Sequence, residues 1–90
     1  MKKVVQVTEV EGEGLEMLLD KVVMIFCLNY IYTGKLIGVN KTCILLENPA
    51  IVYETGAFDA TDFTNAQKLP FQLYIQTSSL ESFGETNKKI

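Results

Sequence analysis

Apolar residues recur along this chain in short runs separated by polar turns, a rhythm that predicts strands rather than long helices. Val22–Leu28 is β-branched and aromatic, without alternation, and bounded by Lys21 and Asn29. It reads as a first strand covered on both faces, by a helix or by a neighbouring subunit. Asn29-Tyr30 turns the chain into a second strand, Ile31–Val39. Within it Gly34, Leu36 and Gly38 lie two apart, on one face, where two missing side chains let the strand bend sharply or approach another backbone. Asn40-Lys41-Thr42 supplies turn chemistry before the apolar run Cys43-Ile44-Leu45-Leu46, and a third strand is predicted from Thr42 through that run. That strand continues past Asn48-Pro49 to Tyr53, and proline there predicts a bulge or an edge position.

Upstream, Leu15, Leu18 and Leu19 form an apolar stripe at helical spacing, so a short helix is predicted from Gly14 to about Asp20. Glu13 and Glu16 near its start suit the helix dipole. Residues 1–12 contain a β-capable run, Val4-Val5-Gln6-Val7, then Glu9 and Glu11, and read as a loose arm. Residues 55–69 interrupt the strand rhythm as a long polar loop that nonetheless carries Phe58 and Phe63, and a loop of that length is often functional. After Pro70, Phe71-Gln72-Leu73-Tyr74-Ile75 alternates at period two as a fourth strand. Thr77-Ser78-Ser79 turns the chain, and Leu80-Glu81-Ser82-Phe83 alternates as a fifth. Residues 85–90 read as a polar, fraying tail. The expected architecture is mainly β: a single domain over 1–90 forming a small, five-stranded, strongly bent barrel with a short N-terminal helix. An OB-like barrel fits less well, because its helix interrupts the strands rather than preceding them.

Composition adds a constraint on assembly. In 90 residues, 48% are hydrophobic, and mean hydropathy is positive. So small a body has little interior in which to hide that apolar surface, which predicts burial against copies of itself. The charge is mildly acidic, 8 basic against 11 acidic residues for a net −3. All the basic residues are lysines, so any nucleic-acid surface is local and lysine-based. The lack of histidine excludes His-dependent nucleophile activation and His-containing metal sites. With no paired acid, base and nucleophile, the chain reads as a binding protein, not an enzyme, and no cofactor is expected. Asp59 and Asp62 are two carboxylates without further oxygen ligands, and read as solvated loop charge. Cys27 and Cys43 lie in apolar runs and read as small buried thiols of a reducing compartment, with a disulfide between them as the alternative. No signal-like or membrane-length apolar segment is present, so the expected location is the cytoplasm, with no membrane partner. Asn40-Lys41-Thr42 also matches a glycosylation sequon, which has no meaning without secretion.

The order of these features resembles the Sm-like family, which includes Sm, LSm and Hfq proteins. The first family motif is matched by Gly34, Leu36, Gly38, Val39, Asn40 and Ile44-Leu45-Leu46, with the shorter Hfq-type spacing, and Glu47-Asn48-Pro49-Ala50 is similar to the acidic turn that follows. Ile75-Gln76-Thr77-Ser78-Ser79-Leu80 has the spacing of the second motif without its Arg-Gly. The resemblance covers about residues 14–54 and 70–84. It implies an SH3-like barrel of the Sm type whose fourth and fifth strands are open edges. Pairing of those edges between subunits gives a homo-oligomeric ring, with Phe71, Leu73, Ile75, Leu80 and Phe83 at the subunit interface. It also implies single-stranded, U-rich RNA held around the pore by Asn40, Lys41, Thr42, Gln76, Thr77 and Ser78. Four positions differ from the family pattern: Thr42 has no π face, Asn40 stands in place of Asp, and Gln76-Thr77 replaces Arg-Gly. These differences raise a second reading, an Sm-fold ring that serves as a protein-interaction scaffold through loop 55–69, with Phe58 and Phe63 as its contact residues.

Overall fold

A computed structural model describes residues 14–89. The arm at 1–12, Glu13 and Ile90 lie outside the described residues. Six strands form one antiparallel sheet: β1 (Val22–Cys27), β2 (Ile31–Val39), β3 (Cys43–Glu54), β4 (Asn65–Lys68), β5 (Leu73–Gln76) and β6 (Leu80–Glu85). The strand order is β4-β3-β2-β1-β6, with β5 also on β3. The fold is therefore mainly β, but the described residues form six strands rather than five, and the sheet is not closed into a barrel.

The additional strand has a simple origin. β3 is long enough to carry two partners end to end on one side. Its first half pairs with β5, from Cys43↔Gln76 to Leu46↔Leu73, where each pair of residue numbers sums to 119. Its second half pairs with β4, from Ala50↔Lys68 to Val52↔Ala66, where the sum is 118. The two strands are thus one interrupted strand, shifted by a single residue. The gap falls at Leu69–Gln72, opposite Glu47–Pro49, and there two prolines remove ladder donors. One main-chain bond spans the gap, from Leu69 N–H to the Pro49 carbonyl (2.9 Å). The loop expected over 55–69 therefore ends at Thr64, because Asn65–Lys68 is recruited by the edge of β3 despite its weak β propensity.

β3 bends at the same place. Between Thr33↔Ala50 and Lys35↔Glu47, β2 contributes only Gly34 while β3 contributes Asn48 and Pro49. Pro49 therefore sits at a bulge, as its sequence position predicts, and Asn48 takes a left-handed φ of 51° to make it. A Cβ on Gly34 would lie 3.1 Å from Pro49 Cα and 3.2 Å from the Glu47 carbonyl oxygen. Gly34 is the close backbone approach that its place in the strand suggests. Gly38 differs from expectation. A second irregularity, at Ile37, shifts the alternation, so that Val39 rather than Gly38 joins Leu36 against the core. The three residues Gly34, Leu36 and Gly38 do not share one face.

The helix expected over 14–20 is a 3-10 turn, Leu15–Leu18. Gly14 offers no side-chain cap, and Leu19 is already extended. Four residues are too few to offset helix nucleation. Tertiary bonds to β2 take the chain instead, from Asp20 N–H to the Leu36 carbonyl (2.7 Å) and from Leu36 N–H to the Lys21 carbonyl (2.9 Å). Leu15 and Leu18 still pack against the core.

The core has two parts, which explains the unalternating first strand. Val23 and Ile25 of β1 point into the main cluster with Leu36, Ile44, Leu46 and Ile75. Met24, between them, joins a second cluster with Val52 and Phe63. The second face of β1 is thus covered by the 55–64 loop of the same chain, through Phe63, which is only 8% exposed. The C-terminal segment also departs from expectation. β6 runs to Glu85, Lys88 is buried, and Lys89 bridges to Asp62, so residues 86–89 are stitched onto the loop rather than forming a fraying tail. No helix among the described residues is long and apolar enough to cross a membrane.

Candidate nucleic-acid interface

Cys43↔Gln76 pairing brings the two turns that carry the candidate RNA residues to the same end of the sheet. Asn40-Lys41-Thr42 links β2 to β3, and Thr77–Ser79 is a 3-10 turn linking β5 to β6. Two bonds lock them together. Thr77 N–H donates to the Thr42 carbonyl and Thr77 Oγ1–H to the Lys41 carbonyl, both at 2.9 Å. All six residues, Asn40, Lys41, Thr42, Gln76, Thr77 and Ser78, therefore lie in one neighbourhood.

Their chemistry is divided between holding the turn and facing solvent. Asn40 Oδ1 accepts from Thr42 N–H (2.8 Å), Thr42 Oγ1–H (3.0 Å) and Cys43 N–H (2.9 Å). Such an Asx turn uses the side-chain oxygen fully. Asn40 is thus a brace for its own turn. Thr42 and Thr77 spend their hydroxyls in the same framework. The groups left outward are the Lys41 ammonium and the side chains of Gln76 and Ser78, all exposed. Together with Tyr74 they line a shallow cavity of about 550 Å³.

Tyr74 is the residue that the motif reading passes over. It is 66% exposed and supplies the aromatic face that Thr42 lacks. The signal was present in the alternation of Phe71–Ile75: Leu73 and Ile75 point to the core, so Tyr74 falls in the outward phase with Gln72 and Gln76. Tyr74 also lines a larger adjoining groove of about 630 Å³ with Leu28, Tyr30, Tyr32 and Leu80. The Tyr30 and Tyr32 rings there are 6.2 Å apart and tilted by 47°. Burial is the main reason that the Tyr32 hydroxyl is pushed up from its ordinary pKa, with the neighbouring Cys27 and Tyr30 adding to the shift.

No protein-family model matches this chain, and no curated protein does.

The residues expected at a subunit interface divide into two groups. Phe71 and Phe83 are exposed, while Leu73 and Leu80 are half-buried against the main cluster. Ile75 belongs to that cluster and is buried within the chain. The edges themselves are open. β5 is paired on one side with β3, β6 on one side with β1, and neither has a second ladder partner among the described residues.

Cys27 and Cys43 are both free thiols. Burial raises the Cys27 thiol above its ordinary pKa. Its thiolate is consequently scarce in the folded protein. Iodoacetamide at pH 8 should label Cys27 several-fold more slowly in the native chain than in urea, as read by peptide mass spectrometry. Equal rates would show that the thiol is not shielded. In stability terms, the raised folded pKa favours the fold below the unfolded thiol pKa, and that contribution is lost as pH rises through the folded value.

Proposed function

We propose that this chain is the subunit of an Sm-like homo-oligomeric ring, an open and strongly bent SH3-like barrel, and that the ring binds single-stranded, U-rich RNA weakly. The observation that carries this reading is the convergence of the Asn40–Thr42 and Gln76–Ser78 turns on one cavity with an exposed cation and an exposed aromatic. Lys41 neutralises phosphate and Tyr74 offers a stacking face, while Gln76 and Ser78 present hydrogen-bonding groups to base edges. With lysine as the only cation type and a net charge of −3, affinity comes from repetition of this small site around a ring rather than from any one subunit. Two open strand edges support the ring, because head-to-tail closure removes both at every junction. Exposed Leu28, Phe71, Tyr74 and Phe83 provide apolar surface for it.

The scaffold reading has one observation in its favour, Phe58, which is 68% exposed on the 55–64 loop. Phe63 does not contribute, since it fills the second cluster.

A titration of labelled oligo-U at low and moderate salt tests the RNA reading. Micromolar binding that weakens with salt, and that drops at least about tenfold in Lys41→Ala, is the expected result. Absence of binding at low salt would remove the RNA role and leave the scaffold. Native mass spectrometry tests the ring, and a monomer at micromolar concentration would end both readings.

A further inference from the structure

Lys88 is only 7% exposed, in a segment where sequence alone predicts solvated charge. Its ammonium donates to the Ala57 carbonyl and, at 3.1 Å, to the Ala60 carbonyl. It also lies 5.5 Å from the centroid of the Phe63 ring. Among the described residues its hydrogen-bond partners are thus main-chain carbonyls, with an aromatic face beside them. Ala60 N–H closes the same turn onto the Ala57 carbonyl (3.0 Å), so one oxygen joins the turn and the lysine. A buried ammonium is costly unless its protons are satisfied, and here two carbonyls and a π face do so.

The main chain around Lys88 is tied to the same loop. Phe63 N–H donates to the Lys89 carbonyl and Lys89 N–H to the Thr61 carbonyl, each at 2.9 Å. Upstream, Thr86 N–H donates to the Val22 carbonyl (2.9 Å), and Lys88 N–H to Thr86 Oγ1 (3.1 Å). The segment is therefore anchored to β1 at one end and to the loop at the other. Beneath it, Phe63 covers Met24 and Val52. The loop has little else to hold it: Phe58–Asp62 is exposed throughout.

We propose that Thr86–Lys89 and Ala57–Phe63 form a clasp over the second apolar face of the sheet, that the buried Lys88 ammonium is its pin, and that the clasp opens as one unit while the sheet stays folded. Loop and chain end are then a single conformational element, and opening uncovers Met24 and Val52. The device is independent of oligomeric state and of RNA.

Native-state hydrogen exchange on the full chain tests this, using wild type and Lys88→Met, which keeps most of the aliphatic stem and removes the donors. In wild type, the Phe63 and Lys89 amides should share one opening equilibrium, lower in protection than the amides of the β1–β2–β3 ladder. In Lys88→Met both should lose protection by the same factor, about tenfold or more, as expected for losing hydrogen bonds from a charged group. The ladder should stay better protected than both amides and lose no more than the same factor, since the contact is present in the native state and absent from the unfolded one, and binding of the apolar dye ANS should rise. The proposal is overturned if the two amides open separately in wild type. It is equally overturned if Lys88→Met leaves both protected, or if the variant brings the ladder down to the protection of the clasp, as it would by failing to fold. The wild-type comparison needs no variant.

Discussion

Phe63→Ala should destabilise the protein by about 3–5 kcal/mol, the usual cost of emptying a buried aromatic site. The ring is the loop's contribution to the second cluster, where it packs with Met24 and Val52 beside Phe26, Ile31 and Ala66. Removing it leaves a void against the second face of the sheet and takes the π surface from Lys88. Phe58→Ser, five residues away in the same loop, should change stability by no more than about 0.5 kcal/mol, because its side chain is exposed. Urea unfolding of both variants measures the contrast. Since a domain of this kind is typically stable by about 5–15 kcal/mol, the first variant should shift its midpoint strongly. A cost below about 1 kcal/mol for Phe63→Ala would mean that the second cluster lies outside the cooperative core. A partner lost in Phe58→Ser but kept in wild type would then report docking rather than folding, a distinction that a double Phe58/Phe63 substitution blurs.

Those two phenylalanines show where sequence reading succeeds and where it stops. The strands were legible because short apolar runs bounded by turn residues are local signals: Ile31–Val39 coincides with β2, and Val22–Leu28 differs from β1 only at its last residue. The bulge at Pro49 was legible because proline cannot donate to a ladder. β4 was not, since Asn65–Lys68 has no apolar alternation, and what orders it is the distant segment Ala50–Glu54. Phe63 and Lys88 escaped for the same reason. Each lies in a polar context and is buried only because loop and chain end meet over β1, a contact that no local window contains. The candidate RNA residues lie together because the register Cys43↔Gln76 brings their two turns to one end of the sheet. Their division of labour was not encoded. Whether Asn40 faces a base or braces a turn depends on where its oxygen points, and composition is blind to that. Tyr74 is legible from period-two phase alone, as the outward position between the inward Leu73 and Ile75.

Gly34→Val should cost about 3 kcal/mol or more, the upper range for forcing bulk into a packed site. The reason lies in what an added side chain would meet. The nearest atoms to a Cβ at Gly34 are Pro49 Cα, the Glu47 carbonyl oxygen and Leu46 Cβ, at 3.1–3.2 Å. Two of these are backbone, held by the β2–β3 ladder on one side and by the Leu69–Pro49 bond on the other. They cannot swing aside as a flexible side chain would. Relief requires the bulge at Asn48–Pro49 to flatten, and flattening removes the bend that lets β3 serve β4 and β5 in succession. Gly38→Ala is the control: a Cβ there meets only Leu45 Cβ, at 3.3 Å, a side-chain atom in a half-exposed position. It should cost about 1 kcal/mol or less. Chemical denaturation of the pair gives the comparison, and circular dichroism shows whether Gly34→Val keeps its strands. If the two substitutions cost the same, the bend at Pro49 does not depend on backbone contact, and Gly34 is only one of several small residues in a tolerant strand.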